Sequence, residues 1–177
     1  MFSRFFSKKK VDQPIAVAQR IPNPEPARRT GAHQSLQYDR GLIHKLTADH
    51  SLMLELFSEV IRQAESGQWI QAHAVLQKFR AELNGHLLLE GVKLYAYMSS
   101  RIDGDTETAQ IFKSYKLEMG DIGKIVFAFF DQYRDASTLA TSEQQSLFLK
   151  TAASVANALA DRISREESHL YPLYQEL

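Results

Sequence analysis

The chain contains no cysteine. That absence removes disulfides, thiolate-held metals, dithiol redox pairs and cysteine nucleophiles together, while leaving the compartment open. Long apolar runs are missing too, and nothing approaches the roughly 18 residues that a membrane span needs. Met1 to Phe6 is too short and interrupted for a signal peptide, and Lys8, Lys9 and Lys10 stand where its apolar segment would be. A soluble cytoplasmic protein is the expectation. No segment carries the two-residue alternation of a strand. An excess of either charge is also lacking, since 21 Lys and Arg balance 21 Asp and Glu. The balance is uneven along the chain, however: residues 1–30 carry seven basic side chains against two acidic ones. The mildly acidic remainder offers no electrostatic footprint for nucleic acid, which is excluded as a partner.

Proline is scarce except at one end. Pro14, Pro22, Pro24 and Pro26 make four of the five in the chain and fall where helical periodicity is weakest, so residues 1–35 read as a disordered tail. Its first ten residues set Phe2, Phe5 and Phe6 beside Arg4 and three lysines. That mixture suits weak contact with an anionic membrane surface or the acidic groove of a protein partner, and a solvated tail with a few exposed aromatics fits the composition better. At 177 residues the chain suits one domain, residues 36–177, plus this tail.

What is present is helical period. Ile43, Leu46, His50, Met53, Phe57, Val60 and Ala64 recur in steps of three or four, and Gly67 ends that helix. Trp69, Ala72, Leu76, Phe79, Leu83, His86, Glu90, Leu94 and Tyr97 do the same for a second helix, from about Gln68 to Ser99. Asp103-Gly104-Asp105 reads as a turn, with Thr106 capping the third helix. The third stripe runs Ile111, Tyr115, Glu118 or Met119, Ile122, Ile125 or Val126, and Phe129. Gly120 and Gly123 weaken this helix and leave room for another to approach closely. The fourth helix starts near Ser142, where Ser-Glu-Gln-Gln fits a capping box with Gln145 as its third residue. Its stripe is Leu147 or Phe148, Thr151, Val155, Ala158, Arg162, Glu166 and Leu170, and Pro172 stops it. Four such helices with short loops make an all-α, up-down-up-down four-helix bundle about 40 Å long.

Ionisable residues interrupt three of the four stripes. His86 and Glu90 lie one turn apart on one face, as do Arg162 and Glu166, while His50 stands alone on the first helix. Buried in a core, each needs a charge partner, a hydrogen-bond partner or a metal. Bundle interiors assemble metal sites from such side chains on facing helices. Glu166 and His169 also form an i, i+3 pair of the Glu-x-x-His kind, although His169 lies off the stripe.

The bundle, His50 in Ala48-Asp49-His50, the His86-Leu-Leu-Leu-Glu90 element followed by Leu94-Tyr95, and the closing segment from Arg162 through Glu166 to Tyr171-Pro172 resemble a hemerythrin-type, His-His-Glu cation-binding domain. The resemblance covers roughly residues 38–177. It implies non-haem iron, one or two ions, in the bundle core of a module that binds or senses oxygen, nitric oxide or iron rather than a catalyst. By position it makes His50, His86, Glu90 and Glu166 the metal ligands, with Glu118 the next candidate. Two positions depart from the pattern. Met119, beside Glu118, stands where the family has a helix-three histidine, and Arg162 stands where it has a helix-four histidine. Arginine has no lone pair to give a metal, so the ligand set is incomplete. Two readings remain open: a surviving metal site, or a metal-free regulatory or scaffold bundle in which the Arg162 guanidinium neutralises the carboxylates.

Overall fold

The computed structural model describes residues 36–102, 104 and 106–177, without the side chains of Met119 and Asp121. The expectations for residues 1–35, for the aspartates flanking Gly104 and for the direction of Met119 lie outside these residues.

Four helical rods follow one another up-down-up-down. The first is α1, Leu42–Glu65. The second begins as α2, Trp69–Leu89, widens into a π-helical turn over Glu90–Tyr95 and finishes as α3, Ala96–Arg101. The third is α4, Glu107–Gln132. After a short 3₁₀ turn, Ala136–Leu139, the fourth begins as α5, Ser142–Arg165, widens into a second π-helical turn over Glu166–Leu170 and ends as α6, Tyr171–Glu176.

Local chemistry sets the boundaries. Gly67 at φ 72° lets Gln68 N–H reach back to the Gln63 carbonyl, closing α1 with the six-residue bond that a left-handed residue permits. Thr106 accepts from the Ala109 N–H at the start of α4. The capping box of α5 sits one residue earlier than the sequence suggests. Thr141 accepts from Gln144 N–H, and the Gln144 side chain accepts from Thr141 N–H in return. Pro172 does not end the last rod. It lies in the first turn of α6, just after the wide turn, where its missing N–H leaves no helical bond unmade.

The stripes of α1 and α2 are buried nearly as the spacing predicts. On α4 the buried line is Phe112, Tyr115, Val126, Phe129 and Phe130, so Ile111 and Ile125 turn outward. On α5 it is Phe148, Ala152, Val155 and Leu159: Phe148 rather than Leu147 faces in, and Ala152 and Leu159 lie one residue beyond the expected Thr151 and Ala158. The glycines of α4 do not admit a close neighbour. A Cβ at Gly120 would meet no described atom within 4 Å, and one at Gly123 would meet only Phe127 of its own helix.

The apolar core is divided in two. One cluster runs through Met53, Phe57, Phe79, Leu83, Phe129, Phe148 and Leu159. The other gathers Leu46, Leu94, Tyr95, Phe112, Tyr115, Leu170 and Tyr171. On three rods the ionisable residues fall between these clusters: His50 between Leu46 and Met53, His86 and Glu90 between Leu83 and Leu94, and Arg162 and Glu166 between Leu159 and Leu170. A single polar layer therefore crosses the bundle.

Candidate metal centre

The layer is dry. His50, His86, Glu90, Arg162 and Glu166 are each at most 4% exposed. Both wide turns begin at its carboxylates, and their sequences repeat: Glu90-Gly-Val-Lys-Leu94-Tyr95 and Glu166-Glu-Ser-His-Leu170-Tyr171. An extra residue in the turn lets the positions four and five after each glutamate both face inward. Leu94, Tyr95, Leu170 and Tyr171 are accordingly all buried. Each turn thus brings a tyrosine hydroxyl to the polar layer that a regular helix would have rotated away.

Glu166 is the centre of the layer. Its Oε1 accepts from Arg162 Nε at 2.5 Å, and its Oε2 lies 3.2 Å from His50 Nε2. The guanidinium also donates through Nη2 to the Tyr95 hydroxyl at 2.8 Å, and its carbon sits 5.0 Å from the centre of the Tyr115 ring. His50 places Nδ1 2.8 Å from Glu167 Oε1, while Tyr171 Oη lies 3.2 Å from its Nε2. The His50 and His86 rings are 4.7 Å apart. Three groups in the layer lack the partners that burial demands: His86 Nδ1, both oxygens of Glu90, and Arg162 Nη1 have no hydrogen bond.

The environments push these groups apart in protonation. Burial, with His50 close by, drives the His86 pKa down to about 4, so His86 is a neutral imidazole with a lone pair to give. Burial also works against a charge on His50, but hydrogen bonds to Glu166 and Glu167 outweigh it and raise its pKa. Glu90 goes well up, first because it is desolvated and next because Glu166 is near, with Arg162 only partly offsetting both. As a carboxylate Glu90 has no donor, and burial beside Glu166 favours its neutral form.

The five residues singled out in the sequence fall into three positions. His50, His86 and Glu166 offer ligand atoms that all lie within 4.8 Å of one another. Glu90 is buried beside them and is coupled by charge to Glu166 and Arg162. Glu118 stands further out, with its side chain 40% exposed, accepting from Arg165 Nη1 at 2.6 Å and lying 3.7 Å from Arg162 Nη1. His169 is exposed and bonds to Ser168, so the Glu-x-x-His alternative is not assembled. Stripe reasoning misses Tyr95, Tyr171 and Glu167. The repeated Glu-x-x-x-Leu-Tyr could have revealed the tyrosines, while Glu167, beside the stripe, carries no spacing signal.

These residues fit a metal ion. Donors about 2.0–2.2 Å from one centre stand no more than about 4.4 Å apart, so ligand atoms within 4.8 Å of one another need to close by only a few tenths of an ångström to share an ion. The unpartnered His86 Nδ1 and Glu90 oxygens are the buried lone pairs that a cation would satisfy. Glu167 on His50 Nδ1 fixes the ring so that Nε2 faces the centre, the role outer-sphere carboxylates play for ligating histidines. A cavity of about 40 Å³ lies against His50, His86, Arg162 and Glu166. It shares Leu87, Gly123 and Phe127 with a groove of about 720 Å³ lined by residues of the second rod and α4. Among the described residues no helix is long and apolar enough to cross a membrane.

Comparison with known proteins agrees with this geometry. No curated protein and no solved structure matches the chain. A family model described as the hemerythrin HHE cation binding domain matches residues 41–174, which takes in the four rods up to the last two residues of α6 and every residue of the polar layer. The chain belongs to the hemerythrin HHE cation-binding domain family.

Proposed function

We propose that the bundle is an iron-binding module of the cytoplasm that senses iron, oxygen or nitric oxide and is not a catalyst. The observation that carries this is the convergence of His50, His86 and Glu166 in a buried layer, with His86 held neutral. His50 would surrender its Nε2 proton and its contact with the Tyr171 hydroxyl to ligate, with Glu167 on Nδ1 and the Tyr171 ring stacked at 5.6 Å orienting the imidazole as it does so. The Tyr95 and Arg162 contacts fix Glu166 from its other side. Iron, when bound, supplies affinity for diatomic ligands. A cavity of about 40 Å³ has room for a molecule of that size beside an ion and none for an organic substrate. The groove on the other side of Leu87, Gly123 and Phe127 brings solvent-facing space close to that cavity.

The Arg162–Glu166 contact of 2.5 Å favours a second reading, a metal-free bundle in which the guanidinium alone compensates the carboxylates and the protein serves as a scaffold. Metal analysis of protein purified without a histidine tag separates the two. Stoichiometric iron that disappears in His86→Ala supports the first. Metal-free protein that takes up no ferrous iron leaves the second.

A further inference from the structure

We propose that the centre takes one metal ion and no more, because the Arg162 guanidinium is a built-in cation standing where a second ion would have to sit. This rests on the reading of His50, His86 and Glu166 as ligands.

The second and fourth rods carry an internal repeat. The second rod carries His86-x-x-x-Glu90-x-x-x-Leu94-Tyr95, and the fourth carries Arg162-x-x-x-Glu166-x-x-x-Leu170-Tyr171. Both copies open into a π-helical turn at the glutamate. Arg162 therefore holds in one copy the place that a neutral, ligating imidazole holds in the other. Glu166 divides its two oxygens along the same line: Oε2 faces His50, and Oε1 takes the guanidinium at 2.5 Å. One oxygen serves the histidine side of the layer and the other is already spent on a cation.

Arg162 is not a loose side chain swung in from the surface. It is 4% exposed, gripped by Glu166 and Tyr95, and stacked over Tyr115, whose own hydroxyl donates to the Arg165 carbonyl at 3.1 Å. A guanidinium keeps its charge and offers no lone pair. A second divalent ion next to it would lack a nitrogen ligand and meet like charge in a desolvated layer, where repulsion is poorly screened. On α4, Glu118 is turned to Arg165 and does not make up the missing ligand. Chemistry that requires two ions side by side is then closed to this centre.

The test counts ions. Untagged protein is stripped with chelator, reconstituted anaerobically with excess ferrous iron, desalted and analysed for metal per chain. The wild type should retain one equivalent and His86→Ala none. Arg162→His, which completes the repeat by placing an imidazole one turn before Glu166, should retain two. Two equivalents on the wild type, or a single one on folded Arg162→His, overturns the inference while leaving the metal reading intact. No retained iron on the wild type overturns the metal reading, and the inference with it. The wild-type count decides even where Arg162→His does not fold.

Discussion

The two halves of the core are built from different aromatics. The cluster on the Met53 side contains five phenylalanines and one tyrosine, and the cluster on the Leu46 side contains five tyrosines and one phenylalanine. The hydroxyls account for the exchange. Tyr95 holds Arg162, Tyr171 faces His50, Tyr115 holds the Arg165 carbonyl and Tyr174 bonds to the Asp39 backbone. In the phenylalanine half, rings pack tilted or edge-on at centroid distances such as 4.8 Å for Phe57–Phe79, and no residue of the cluster is ionisable near neutral pH. The first half therefore contributes stability that is indifferent to pH and metal. The second supports the polar layer, and its stability depends on both.

The largest effects test that contrast directly. Phe79→Ala, at a fully buried position, should cost about 3–5 kcal/mol, with the same deficit relative to wild type in chelator and in ferrous iron. Arg162→Ala should cost a similar amount in chelator, about 3–5 kcal/mol, because it strips the cation from Glu166 and Glu90. Its deficit should shrink when ferrous iron is added. Denaturant melts of both variants in the two buffers check this, and equal iron dependence would erase the distinction between the halves.

A second test is the acid limb. The His86 pKa falls to about 4 in the folded protein, so the unfolded chain takes the proton first as pH drops from 6.5. Folding then loses stability between pH 6.5 and 4, by at most about 3 kcal/mol, and loses nothing more from this group below that. Glu90 and His50 have raised values and run in the opposite direction. The difference between wild type and His86→Gln in chelator isolates His86, and the variant should be the less acid-sensitive of the two across that window. Parallel pH profiles would mean that His86 is not held neutral.

Smaller effects separate the tyrosines. Tyr95→Phe leaves Arg162 Nη2 buried without a partner and should cost about 1–3 kcal/mol. Tyr133→Phe, in the other half, removes a hydroxyl paired with the exposed Gln132 side chain and with Thr151, neither of them charged, and should cost less, about 0.5–1 kcal/mol. Equal costs would deny the tyrosine half its special role.

The four rods and the inward direction of His50, His86, Glu90, Arg162 and Glu166 were legible in the sequence, since three-and-four spacing reports which face of a helix is buried. The wide turns were not. A π-helical turn adds one residue without disturbing the apolar pattern before it, so extrapolating a regular helix past Glu90 or Glu166 rotates Tyr95 and Tyr171 out of the site. The same rigidity of reasoning ended the last helix at Pro172, where the preceding turn had already made the proline harmless. Spacing alone also left the carboxylate of α4 undecided. Pairing with Arg165 turns Glu118 outward, and that depends on a neighbouring rod rather than on the periodicity of its own.

The central claim is that the polar layer is a metal centre assembled from His50, His86 and Glu166, and thermal melting with and without ferrous iron tests it most directly. A ligand bound only by the folded state raises the melting temperature in proportion to the logarithm of its excess over the dissociation constant. The wild type, stripped and then melted anaerobically in excess ferrous iron, should unfold at a higher temperature than in chelator, and His86→Ala should show no shift. A wild-type melting temperature unmoved by iron, or a shift of the same size in His86→Ala, would contradict the account.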